Sequence, residues 1–122
     1  KEAVEGVHGV HTAANPYLDD PNPLVREWAG KYKAKFSEDA TVFSVYGYYM
    51  MDIFGKAAEK AGVNLTTDTF NNVMETTKFP PDMFGSPECA ITKTDRLCNS
   101  KVRLAQIKGG RWVSISDYFS AE

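Results

Sequence analysis

Two proline-rich stretches restrict this chain more than any other feature. All six prolines fall in residues 15–23 and 79–87, three in each. Proline lacks an N–H and fixes φ, so neither stretch can sit inside a helix or a central strand. Asn15, Asp19, Asp20 and Asn22 add turn chemistry to the first. Both stretches are connectors, and they cut the chain into three parts.

The first part is short. Residues 6–12, small and β-branched, predict a strand. The middle part is helical. Asn22 can cap a helix with Pro23 in its first position, and Leu24, Val25, Trp28, Tyr32 and Phe36 recur at helical spacing, a stripe read as core. A second helix is predicted over 44–61, with Val42, Tyr46, Tyr49, Met50, Ile53, Ala57 and Ala61 on one face and Gly62 as its stop. A third begins at Thr66 or Thr67 and buries Phe70, Val73, Met74 and Thr77. Beyond Lys78 the texture is extended, with strands expected at 89–92, 101–108 and 111–115. Gly109-Gly110 between the last two is a two-residue hairpin signal, because both glycines accept positive φ. A single α+β domain fits this order, and so does a chain that crosses twice between two lobes.

Composition removes several classes. An apolar fraction of 43% with a net charge of -2 excludes a disordered chain. Fourteen basic against 16 acidic side chains, with no Lys/Arg cluster, leave no electrostatic pull on nucleic acid. No apolar run is long enough for a membrane-spanning helix. Residues 1–6 contain no initiating Met and no signal-peptide core, and they open almost directly on a strand. The expectation is a piece of something longer.

Motifs for chemistry are missing. His8 and His11 are three apart on a predicted strand, so their rings point to opposite faces and do not form a metal pair. No GxSxG, GxxxxGK[ST], GxGxxG or HExxH occurs. Asp19-Asp20 and Asp95-Arg96 read as turn residues. The reading is therefore a non-enzyme with no cofactor and no metal. Cys89 and Cys98 lack the CxxC spacing of redox or zinc pairs, which leaves a loop-clamping disulfide, the preferred reading, or two free thiols. A disulfide would imply an oxidising compartment. Tyr17, in the first connector, and Phe43, Tyr46 and Tyr48, around the second helix's start, are either core or the rim of a crevice for small anions and zwitterions.

The order of motifs resembles a known family. Gly6-Val7-His8-Gly9-Val10 through Pro16-Tyr17, the helix from Asn22-Pro23-Leu24 to Phe36, and Tyr46-Gly47-Tyr48 leading to Ala61-Gly62 follow one pattern. Ala90-Ile91-Thr92-Lys93-Thr94-Asp95-Arg96 and the run from Val102 to Val113 continue it. It is similar to the C-terminal third of the type I periplasmic solute-binding proteins of branched-chain amino acid (Leu/Ile/Val-type) ABC transporters.

The resemblance implies an α/β fold that is part of a two-lobed receptor, each lobe a parallel sheet flanked by helices. Residues 1–14 would come from one lobe and 24–78 from the other. Residues 15–23 and 79–87 would cross between them, and 88–122 would supply strands and the hairpin. Strands 6–12 and 89–92 would share one lobe. The implied function is capture of a small amino-acid-like or aromatic acid solute for an ABC permease, in the periplasm or outside the cell. That location suits a Cys89–Cys98 bridge. The family's cleft positions match Asn15 and Tyr17 in the first connector and Phe43 and Tyr46 at the long helix, while Tyr48 matches a common family position with a packing role. The family's chains are much longer, so this chain is expected to expose apolar faces and self-associate. Two readings compete: a ligand-sensing domain of a receptor or regulator with the same fold, and a free-standing α+β interaction domain. The last predicts a monomer with a complete core.

Overall fold

The structure, a computed structural model, describes residues 2–120. Strand β1 (His8–His11) is followed by helices α1 (Pro23–Phe36), α2 (Val42–Ala61) and α3 (Thr67–Thr76). The short strands β2 (Lys78–Phe79) and β3 (Cys89–Ala90) come next. Then β4 (Lys101–Lys108), β5 (Arg111–Ser114) and β6 (Phe119–Ser120) close the chain.

Local chemistry explains the helix boundaries. Asn22 Oδ1 accepts the Leu24 N–H at 3.0 Å, which caps α1 with Pro23 at its first position. Helix α2 starts at Val42, two residues before the expected start, because Ser44 Oγ accepts the Thr41 N–H at 3.2 Å. Thr66 and Thr69 exchange the equivalent bonds at α3, at 3.2 and 2.9 Å.

The pairing of strands departs from expectation. Strand β4 is central to the larger sheet, antiparallel to β1, β5 and β6. Strand β3 does not join β1; it pairs antiparallel with β2. The reason is the core it enters: Phe79 and Cys89 pack with Ile53, Ala57 and Val73 beneath α2 and α3. Segment 89–92 thus stays with the helices, and the chain returns to the large sheet only after Cys98. Every pairing among the described residues is antiparallel.

A second core cluster joins Ala13, Val25, Val45 and Phe84. It packs Ala13, just ahead of the first proline-rich segment, and Phe84 of the second onto α1 and α2. Asn22 Nδ2 donates to the Met83 carbonyl at 2.9 Å, so the two connectors also bond to each other. The helices bury less than their apolar spacing predicted. Val25 and Ala29 are the buried residues of α1, while Leu24 and Phe36 are exposed. Along α2 the inner row is Val45, Ile53 and Ala57, and Met50 is 64% exposed.

Register sorts the large sheet into two faces. Val10 lies opposite Leu104, and Gln106 opposite Val113, so these four share one face. Ile115 joins them, its N–H donating to the Leu104 carbonyl at 2.9 Å. Val10, Leu104, Val113 and Ile115 are all exposed. The other face carries Gly9, His11, Arg103, Ala105, Trp112 and Ser114, and Ala105 is fully buried. Gly9 is required there: a Cβ would meet the Trp112 ring at 2.9 Å. Gly109 and Gly110, at φ 61° and 75°, make the β4–β5 turn. Their N–H groups donate to the Glu5 carboxylate at 2.8 and 3.1 Å.

Candidate functional site

The buried-side residues of the large sheet face the first connector. Tyr17 folds back on β5, where its hydroxyl accepts the Trp112 N–H at 2.9 Å. That N–H points outward from an edge strand, so the phenol satisfies a donor that the ladder leaves open. The Arg111 guanidinium lies 4.7 Å from the Tyr17 ring centre and donates to both Asp19 carboxylate oxygens at 2.8 Å. Hydrogen bonding to Arg111 holds the Asp19 carboxyl below its usual range.

Between the connector and the sheet lie two adjoining concavities of about 300 and 240 Å³. They share Ala14, Asn15, Asp20 and Ser114. The larger reaches Asn22, Phe84 and Arg103, and the smaller reaches His11, Tyr17 and Trp112. This groove therefore spans the sheet, both connectors and α1. Its polar groups are unevenly satisfied. Asp20 Oδ1 accepts the Asn22 N–H at 2.8 Å. His11 Nδ1 and Arg103 Nε are buried with no hydrogen-bond partner. Burial lowers the His11 pKa from its usual value, and the positive Arg103 beside it lowers it further.

A hydrogen-bonded strut stands next to the groove. Thr12 Oγ1 and the Tyr46 hydroxyl share a bond of 2.6 Å, and the Tyr118 hydroxyl donates to the Thr12 carbonyl at 3.1 Å. Arg103 stacks 4.7 Å from the Tyr118 ring centre. Burial raises the Tyr118 phenol pKa, while Arg103 acts in the opposite direction. One threonine thus links β1, α2 and the segment before β6.

The four residues singled out from sequence are placed differently from one another. Asn15 and Tyr17 line the groove. Tyr46 reaches its margin through Thr12. Phe43 stands 78% exposed, with its ring 6.1 Å from that of Tyr46, and does not line the groove. Sequence reasoning did not find Arg103 and Ser114, which enter from strands paired across the whole chain. Two larger concavities, about 350 and 370 Å³, lie against α1–α2 and α2–α3, and they gather none of these four residues.

Cys89 and Cys98 form a disulfide, with Cα atoms 4.5 Å apart. Among the described residues no three His, Cys, Asp or Glu side chains are grouped to hold a metal ion. No helix among the described residues is long and apolar enough to cross a membrane.

The chain is similar in structure to a solute-binding protein of an ABC transporter from Rhodopseudomonas palustris BisB5 in complex with 3,4-dihydroxybenzoic acid. Their TM-score is 0.74 at 19% identity, over 99% of this chain and 32% of that one. A branched-chain amino acid ABC transporter protein from Thermus thermophilus with bound valine gives 0.74 at 18%, over 98% and 35%. A solute-binding protein from R. palustris in complex with benzoate gives 0.68 at 17%, over 98% and 32%. At these identities the likeness is one of fold, and the chain spans about a third of the length of these structures. No curated protein sequence matches it. Residues 1–111, which hold both connectors, all three helices and the groove's Asn15, Tyr17 and Arg103, match the family described as periplasmic binding protein, and the chain belongs to that family.

Proposed function

We propose that this chain is the hinge-side part of a solute-binding protein that captures a small carboxylate-bearing solute between two lobes for an ABC permease. The groove carries this reading. It lies where the large sheet, both proline-rich segments and α1 meet, and it combines a few polar groups with aromatic walls, as small-molecule sites do. In this reading β1, β4, β5 and β6 belong to one lobe and the helices with β2 and β3 to the other. Residues 15–23 and 79–87 serve the hinge. Asn15 and Tyr17 contact the solute, and Tyr46 holds the hinge strut beside it. Phe43 would reach a solute only after the lobes move. The amino acid and aromatic acids bound by the structural neighbours suggest the solute class. The Cys89–Cys98 bridge fits an oxidising, extracytoplasmic compartment.

Titrating the isotope-labelled chain with leucine, valine and benzoate tests this. Saturable NMR shifts are expected at the Asn15, Tyr17 and Ser114 amides. Shifts confined to the α2–α3 concavity, around Phe54 and Met74, would overturn the reading.

Val10, Leu104, Val113 and Ile115 stand exposed together on one sheet face beside His8 and Gln106, and an exposed apolar cluster of this kind favours association. On its own the chain is expected to self-associate through it. Light scattering should give multiples of 13.6 kDa, and Val10→Lys with Leu104→Lys should give the monomer. A wild-type monomer would count against association.

A further inference from the structure

We propose that the Cys89–Cys98 bridge is a hinge clamp, which confines the bend of the return crossing to Asn99–Ser100 and loosens the lobes when reduced. The inference rests on the two-lobed reading above. The proline-rich segment 79–87 seats the return crossing on the helices. Phe84 is buried against Trp28, and Asn22 Nδ2 holds the Met83 carbonyl at 2.9 Å. Strand β3 then pairs with β2, and Cys89 packs with Ile53, Ala57, Val73 and Phe79. Beyond Ala90 the chain forms no strand or helix until Lys101. The bridge alone ties this stretch covalently to the helices, because it brings Cys98 back to buried Cys89. The Tyr49 hydroxyl of α2 donates to Cys98 Sγ at 3.3 Å, and Cys98 packs on the same cluster.

Release from the helices therefore comes at one point. Asn99 and Ser100 lie in no helix or strand, and Asn99 Oδ1 already accepts the N–H of Lys101, the first residue of β4, at 3.1 Å. Strand β4 is the centre of the other lobe. The helices pack mainly on one another and on β3, and the large sheet mainly within itself, so the crossings govern how the lobes sit. A link of two residues transmits orientation, whereas a longer flexible one does not. With the bridge open, the untied stretch grows from residues 99–100 to residues 91–100. What still holds it is weak: the Ala90 N–H to Cys98 carbonyl bond, and the pair of Glu75 with the largely exposed Arg96. The reach of a flexible segment rises as the square root of its length, so the spread of lobe positions should about double. The sulfurs can be reached, since Cys98 is half-buried and both cysteines line the α2–α3 concavity of about 370 Å³. A dithiol reductant supplies two electrons and two protons: the S–S bond breaks, both cysteines become thiols, and the dithiol closes to its own disulfide.

Single-molecule fluorescence transfer on the 122-residue chain tests the clamp, at picomolar concentration to keep copies apart. The dyes are carried by ketone-bearing residues placed at Lys60 of α2 and Lys108 of β4, both exposed. A control pair at Lys35 of α1 and Lys60 stays within the helical lobe. Dithiothreitol should widen the 60–108 distance distribution about twofold and leave the 35–60 distribution unchanged. Cys89→Ala with Cys98→Ala should give the wide 60–108 distribution without reductant. A 60–108 distribution as narrow after reduction as before it would overturn the clamp. Equal widening of both pairs would overturn it too, because the bridge would then be holding the helical lobe itself together. If the double variant misfolds, the wild-type chain with reductant still decides. None of these outcomes involves a solute. The solute-binding reading stands or falls separately, on whether a carboxylate moves the Asn15, Tyr17 and Ser114 amides.

Discussion

Phe84→Ala is expected to destabilise the chain by about 3–5 kcal/mol, the range for emptying a buried phenylalanine site. Phe84 is 5% exposed although it lies in a connector. Its ring meets Trp28 edge-on at 5.0 Å and Tyr48 at 5.6 Å. Each such aromatic pair adds about 0.5–1.5 kcal/mol beyond burial. Its site is also poorly able to collapse, because backbone bonds fix the segment on either side. Asn22 Nδ2 holds the Met83 carbonyl, and Asp82 Oδ1 holds the Phe84 and Ser86 N–H groups. The cavity would therefore persist. The loss equals much of the stability of an ordinary domain. Urea unfolding followed by tryptophan fluorescence measures it, with Trp28 as a reporter in contact with the site. Phe43→Ala, at a 78% exposed ring, should change stability by about 0.5 kcal/mol or less. Equal effects of the two substitutions would show that the connector is not anchored through Phe84.

This contrast marks where sequence reading succeeds. Local signals were legible: Asn22-Pro23 starts a helix, Gly62 ends one, and Gly109-Gly110 turns a hairpin. Each of these acts within a few residues, so spacing alone reports it. Strand partners were not legible. Short apolar runs at 6–12 and 89–92 look alike, yet one pairs with β4 and the other with β2, because pairing is settled by which core each run enters. The aromatic stripe of α1 shows the same limit. Trp28, Tyr32 and Phe36 do follow one another, with ring separations of 5.5 and 4.6 Å. Only the Trp28 end finds a buried partner, in Phe84. Helical spacing says which residues share a face and not whether anything covers it. The groove has the same mixture. The connector's own residues pointed to Tyr17, and the family resemblance to Asn15 as well. Their companions Arg103, Trp112 and Ser114 come from strands formed near the other end of the chain, with the Tyr17–Trp112 bond spanning 95 positions. No local pattern could have named them.

Reduction of the Cys89–Cys98 bridge is expected to cost about 2–3 kcal/mol, or roughly 8–15 °C in Tm for a domain of this size. The bridge closes a loop with a sequence separation of 9, so the chain-entropy gain is modest. Its position raises the consequence. Cys89 is 1% exposed, within the cluster of Ile53, Ala57, Val73 and Phe79, and Cys98 packs against the same cluster. The bridge therefore fastens the loop to the core under α2 and α3. Other bonds in the loop are weaker holds. The Ala90 N–H donates to the Cys98 carbonyl at 2.9 Å and the Thr92 N–H to the Asp95 carbonyl at 2.7 Å, and both close the loop only on itself. Arg96 pairs with Glu75 of α3 at 2.7 Å, but Arg96 is more than half exposed, so the pair contributes about 0–1 kcal/mol. Cys89→Ala with Cys98→Ala should reproduce the loss seen with reductant, and Arg96→Met should fall well short of it. Hydrogen exchange separates the local and global parts: amides of the 89–98 loop should lose protection first, and those of the β4–β5 hairpin last. A Tm unmoved by reductant would mean that packing alone holds the loop and that the bridge adds nothing to it.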